Sequence, residues 1–347
     1  MIEIKHNRLR FQFPEVHKGC KMDMEFQRTL RIPDDGKNYP LPPGLGPFPL
    51  ALVDDHSERV PAPWLAYGGV LLPMYAAEAL WLNFDGPEVP GHGVPWPFAI
   101  KVAAGKVNAV DGETWSESLG QKQDYLVTPE QPWLDGFFAG EGLIRQFVAV
   151  HMGGGYTVEE QVTGKAEHGG LQFMVYPMKR EEFMRRFPKL PPRSARTQYM
   201  VDGACPSPMV SVCCESPGMG LGAGGRMEQE IYDDPYGQDV WDLSKGGRCF
   251  VHLSNALVWR AITGSEAPTV PPTAKEYERS GLPWFEWYGA DQGVLAGEDW
   301  LANVKSVATV GAEKGEHVLP ENESVTVHGV VKLGTPVGSE QVREGVF

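Results

Sequence analysis

The chain has 347 residues, a formal net charge of −14, and 42% hydrophobic against 22% charged residues. That balance belongs to a folded globular protein, one large domain or two smaller ones, and its 41 glycines and 30 prolines stay below the roughly 25–30% of a disordered chain. So acidic a chain is repelled by nucleic acid and by anionic membrane surfaces, and neither is expected as a partner. The most apolar stretch, residues 67–84, is broken by Gly68, Gly69, Pro73 and Glu78, so no span of about 20 apolar residues crosses a membrane. Residues 1–6 lack the basic-then-apolar pattern of a leader, and five cysteines make no disulfide framework; the cytoplasm is the expected compartment.

In chain order, Leu9, Phe11 and Phe13 alternate with polar residues, as do Met22, Met24 and Phe26, which predicts two half-buried strands. Residues 32–47 are crowded with proline and glycine and read as a pinned surface loop. A buried helix is expected from Pro73, because Met74, Ala77, Trp81 and Phe84 recur at helical spacing. Residues 98–102, 144–150, 171–176 and 248–253 read as further strands. Thr157 with Glu160 and Thr273 with Glu276 form capping boxes that start short helices, the first closed by Gly164. Asn255 caps a helix running to Gly264. Residues 178–187 form an amphipathic, locally basic segment, and residues 325–331 a closing strand. The expected fold is therefore mainly β (α+β), antiparallel and sandwich-like, with a few short helices and long Pro/Gly-rich loops. Two β-rich lobes, 1–187 and 209–347, joined by a linker or long surface loop over 188–208, or one integrated domain, fit equally well.

Named catalytic signatures are absent, including Gly-x-Ser-x-Gly, His-Glu-x-x-His and the phosphate loop. Cys205, Cys213, Cys214 and Cys249 with His252 invite a zinc reading, but neighbours in β-like runs face opposite ways, so the thiols are expected to act as small hydrophobes. Residues 218–225 contain one Gly-x-Gly-x-x-Gly match, starting at Gly220, yet lack the long following helix of a dinucleotide fold; a tightly turned loop is expected. Gly153, Gly154 and Gly155 before Thr157, with Lys165 nearby, could cradle an anion, or simply turn the chain.

The densest chemistry lies between Glu228 and Asp242, where six carboxylates occur with no basic residue among them. Crowded like charges call for a cation, for arginines from elsewhere, such as Arg226 or Arg248, or for solvent. Asp233, Asp234 and Asp239 are the candidate ligands of a divalent cation such as calcium. Glu228 and Glu230 alternate onto one face, where they could act as an acid/base pair. Trp133 with Asp135, and Trp284 with Trp287, set aromatic rings beside carboxylates, a pattern that stacks on sugars or else plugs the edge of a β core. His151 and His168 flank the Gly-rich turn and its helix and are candidates for catalytic support.

The run from Gly225 to Tyr232 with Asp234, Pro235, Tyr236, Gly237 and Trp241 resembles a block of a widespread family of uncharacterised bacterial and fungal proteins. Residues 32–36, 106–110, 131–136, 144–147, 250–252, 259–264 and 281–285 fit the same family. The resemblance covers most of the chain and implies one integral unit; it brings no catalytic residue with it. Two functions follow from the residues themselves. The first is a binding or structural protein, self-associating or taking a small-molecule or glycan ligand through aromatic and acidic loops. The second is a carboxylate-based, cation-assisted hydrolase of a polar substrate such as a glycan, resting on Glu228, Glu230, Asp233, Asp234 and Asp239 with His151 or His168.

Overall fold

Alternating apolar residues in the first third need a partner sheet, and the chain supplies it from its own later segments. The computed structural model describes residues 1–190, 218–287, 293–296, 300–319 and 321–333. Among these the protein is mainly β, with one extensive, mostly antiparallel set of 17 connected strands and a few short helices. The β-like run that holds Cys213 and Cys214, together with Cys205 and most of the 188–208 segment, lies outside the described residues.

The strand Lys21–Thr29 pairs antiparallel with Arg8–Gln12 on one side and with Ala79–Asp85 on the other. Leu9, Phe11, Met22, Met24 and Phe26 fall on the buried face, as their period of two requires. Ala79–Asp85 also pairs with Trp133–Leu134 and touches Leu143–His151, which lies along Met219–Glu228. Phe98–Ala104, Leu171–Pro177 and Gly247–Ser254 form a second antiparallel run, joined to Val70–Pro73 by a parallel pair. Strands from both expected lobes thus pair within one sheet and bury one shared core. The capped helices stand at Val158–Thr163, Ala256–Thr263 and Ala274–Arg279, with both capping boxes formed.

Three expectations are corrected. No helix begins at Pro73: Val70–Pro73 and Ala79–Asp85 are strands, separated by a turn in which Ala77 has a positive φ of 66°. Leu80, Leu82 and Phe84 alternate inward, and that period-two signal outweighs the chance helical spacing of Met74, Ala77, Trp81 and Phe84. The glycine run is no loop but the long strand Met219–Glu228. Its glycines are required by close approach on its faces: a Cβ on Gly225 would sit 2.4 Å from the Pro33 carbonyl oxygen, and one on Gly222 2.5 Å from Val307 Cγ2. The closing strand is shorter and later than expected, Val330–Leu333, parallel to Trp284–Trp287.

Irregular segments that pack on this sheet still need partners for their backbone polar groups. Gln146, wholly buried, supplies them to residues 30–32: its Oε1 accepts the Ile32 N–H at 3.0 Å and its Nε2 donates to the Leu30 carbonyl at 2.9 Å. Replacing Gln146 by Leu leaves a buried donor and a buried acceptor unpaired, at about 1–3 kcal/mol each. Gln146→Leu is therefore expected to lose about 2–6 kcal/mol of unfolding free energy, read as a lower urea midpoint at unchanged slope; an unaltered midpoint would refute this role.

Candidate functional site

The segment after Glu228 leaves the sheet but keeps its alternation: Gln229 and Ile231 are buried, whereas Glu228 and Glu230 are exposed. Two glutamines fix this register. Gln229 Oε1 accepts the Asp135 N–H at 3.0 Å, while its Nε2 donates to Asp135 Oδ2 at 3.0 Å and reaches the Trp133 carbonyl at 3.4 Å. From the facing segment, Gln131 Oε1 accepts the Tyr232 N–H at 3.1 Å and its Nε2 donates to the Trp133 and Glu230 carbonyls. The 131–135 and 229–232 segments are thereby stitched to one another.

Above this seam lies a cleft of about 490 Å³. Glu228, Gln229, Glu230 and Tyr232 form one wall, Gln131, Pro132 and Trp133 another, and Asn38, Pro40, Leu41, Phe285 and Glu286 close it. The far wall is held by reciprocal backbone bonds between Leu41 and Phe285, at 2.8 and 2.9 Å. Three glutamates, three aromatic residues and three amide-bearing residues thus line one space, and among the described residues the lining includes no lysine, arginine or histidine. Carboxylates so placed accept hydrogen bonds from hydroxyl or ammonium groups, and the rings offer flat apolar faces.

Glu228, Glu230 and Trp133 are brought together as candidates. Asp135 stands behind them, 4% exposed, and does not line the cleft. Burial pushes its carboxyl up from the ordinary 3.8 to about 7, against the opposing effect of hydrogen bonds from Gln229 and Trp133. Trp284 is a core residue, correcting its place among the ligand contacts: it is buried, with Tyr39 and Tyr277 rings about it at 6.0 and 6.1 Å. The side chain of Trp287 lies outside the described residues. Its neighbours Phe285 and Glu286 reach the cleft instead, and alternation along the Trp284–Trp287 strand is the signal that sets Phe285 on the face opposite Trp284. Asn38 and Glu286 carried no signal in the sequence, because both come to the cleft on short strands distant from residues 131–133 and 228–232 in the chain.

The histidines are not part of this site. In the pairing of Leu143–His151 with Met219–Glu228, Leu143 faces Glu228 and His151 faces Met219. Eight residues of strand separate the two ends, about 26 Å at roughly 3.3 Å per residue. His168 belongs to the same distant end, since the amide of Gly170 donates to the Met219 carbonyl; its ring packs edge-on against Tyr67 at 5.1 Å. Neither histidine can exchange a proton directly with Glu228 or Glu230. The Gly153–Gly155 cradle is filled by the chain itself, its amides donating to Glu160 Oε1 at 2.8 and 2.9 Å.

The aspartates do not converge on a cation position either: among the described residues no group of three or more His, Cys, Asp and Glu side chains is placed to hold a metal ion. Asp234 closes its own turn, accepting the Tyr236 and Gly237 amides, the Tyr125 hydroxyl at 2.8 Å and the Trp241 indole at 2.9 Å. Asp233 and Asp239 are exposed, and Asp239 contributes its backbone carbonyl to Lys179 Nζ at 2.6 Å. Arg248 pairs with Glu117 at 2.5 Å, not with the acidic run. Cys249 and His252 are both buried on one strand three residues apart, hence on opposite faces, and burial pushes the Cys249 thiol up to about 12.

Comparison with protein-family models, curated proteins and solved structures gave no match. No described helix is long and apolar enough to cross a membrane.

Because Asp135 holds its proton up to about pH 7 when folded and releases it near 3.8 when unfolded, folding takes up a proton between those values. The stability it contributes is complete below about pH 4 and is lost as pH rises through about 7. Asp135→Asn, which cannot titrate, should flatten the decline of unfolding free energy over that window by up to about 1.4 kcal/mol per pH unit. Urea titrations at pH 5, 6, 7 and 8 measure it; parallel curves for the two proteins would exclude the shift.

Proposed function

We propose that this is a binding protein for a small polar ligand, taken up in the cleft between Glu228, Glu230 and Glu286 and seated on Trp133, Tyr232 and Phe285. The observation that carries this reading is the meeting of aromatic faces with exposed carboxylates and oriented amides in one concave space of about 490 Å³. A ligand with hydroxyl or ammonium groups and one apolar face answers that lining, since carboxylates only accept and rings favour flat or cationic partners. A cytoplasmic setting suits the free, buried thiols of Cys20 and Cys249.

Ligand-observed NMR with choline and with cellotriose tests the proposal. At least one should show saturation transfer, weakened about tenfold or more by Trp133→Ala and by Glu228→Gln, as expected for central contacts of a small site. Failure of both probes to bind, or binding indifferent to both substitutions, would overturn it.

The side-by-side placement of Glu228 and Glu230 on one wall favours a second reading, carboxylate-based hydrolysis of a glycan in the same cleft. Release of p-nitrophenol from aryl glycosides, abolished by Glu228→Gln or Glu230→Gln, distinguishes catalysis from binding alone.

A further inference from the structure

Asp135 is a buried carboxyl that does not line the cleft but bonds side chains that do. Its main chain is fixed on both sides, the N–H by Gln229 Oε1 at 3.0 Å and the carbonyl by the Phe147 amide at 3.2 Å. Its side chain receives Gln229 Nε2 at 3.0 Å and a hydrogen bond from the Trp133 side chain. Both donors line the cleft. We infer, taking the cleft as the ligand site proposed above, that Asp135 is its positioning residue: it orients Gln229 and Trp133 from behind and links their placement to the binding of one proton.

The geometry supplies the means. As a carboxylate, Asp135 is purely an acceptor and holds both N–H donors. As an acid it must place a hydroxyl proton among them, and Gln229 Nε2 then has a second acceptor already within reach, the Trp133 carbonyl at 3.4 Å. Protonation thus shifts the Gln229 amide toward Trp133 and loosens the indole, with no change in the surrounding sheet.

Charged groups on the elements around Asp135 are engaged elsewhere. On Leu143–His151, Arg145 donates to the Gly224 carbonyl at 3.1 and 3.0 Å and stands 3.6 Å from Asp34, and His151 is at the far end. On Ala79–Asp85, Asp85 is exposed and bonded by Arg8, and the adjoining Glu78 is paired with Arg28. On Met219–Glu228 and its extension, Arg226, Glu228 and Glu230 are exposed. The groups acting on the Asp135 carboxyl are the neutral Gln229 and Trp133, together with burial itself, so the proton it carries is read out by those two side chains.

The test uses the full chain labelled with 5-fluorotryptophan, the Trp133 resonance being assigned with Trp133→Phe. Between pH 5.5 and 8.5 this ¹⁹F signal should shift with a single midpoint near 7 in the wild type and in Glu228→Gln/Glu230→Gln, and stay flat in Asp135→Asn. A flat wild-type signal, a titration that persists in Asp135→Asn, or one that vanishes in the double glutamate variant would each overturn the inference. Should Asp135→Asn fail to fold, aspartate ¹³Cγ labelling of the wild type decides: the buried carboxyl and the Trp133 fluorine must share one midpoint, and different midpoints reject the link. The signal is read without ligand, so its failure removes the proton link alone, whereas choline and cellotriose binding judges the cleft separately.

Discussion

The irregular half of this protein depends on one repeated hydrogen-bonding device, a glutamine side chain that takes the place of a missing strand. Gln146 bonds the carbonyl of Leu30 and the N–H of Ile32; Gln131 those of Glu230 and Tyr232; Gln229 those of Trp133 and Asp135; Gln123 those of Tyr232 and Asp234. In every case the two backbone groups are two residues apart, the spacing at which an extended chain presents a carbonyl and an amide to the same side. A primary amide carries both complements at its tip, which glutamate, able only to accept when ionised, does not. Segments rich in proline and turn residues can therefore lie against the core with their polar groups satisfied, without forming a ladder.

This device also explains the acidic run that dominates the sequence. Three of the four glutamines fasten residues 229–234, and Asp234 adds a turn closed by Tyr125, Tyr236, Gly237 and Trp241. Charge crowding is relieved by sorting: Asp234 is consumed as a hydrogen-bond hub, Asp233 and Asp239 are left to solvent, and Glu228 and Glu230 face the cleft. Neither a metal nor a guanidinium cluster is needed to account for the fold of the segment.

The strands with clean alternation, such as Lys21–Thr29, and the capped helices at Thr157, Asn255 and Thr273 were legible because their signals are local, a period or a three-residue spacing. The helix read at Pro73 shows the limit of this: Met74, Ala77, Trp81 and Phe84 satisfy helical spacing while Leu80, Leu82 and Phe84 satisfy strand spacing, and only the neighbouring strands select between them. The glycine strand was illegible for a related reason. Its glycines answer to Pro33, Val148 and Val307, residues far away in sequence, so locally they look like a turn. Of the site, the shared face of Glu228 and Glu230 followed from alternation, whereas its partners Asn38, Phe285 and Glu286 and the exclusion of both histidines follow from pairing and strand length, which composition does not encode.

Register joins the two themes. With period two, a slip of one residue across the 229–232 seam would carry Glu228 and Glu230 into the core and expel Gln229 and Ile231. Burying two carboxylates unpaired is far costlier than burying one amide with its partners in place, so the acidic face of the cleft and the buried glutamine behind it select each other. Asp135 is the exception that this register admits: a carboxyl on the buried side, tolerated because Gln229 and Trp133 donate to it and because it can keep a proton. The bonds that align the seam are thus the same ones that set Gln229 and Trp133 in the cleft wall, and any change in one must be felt in the other.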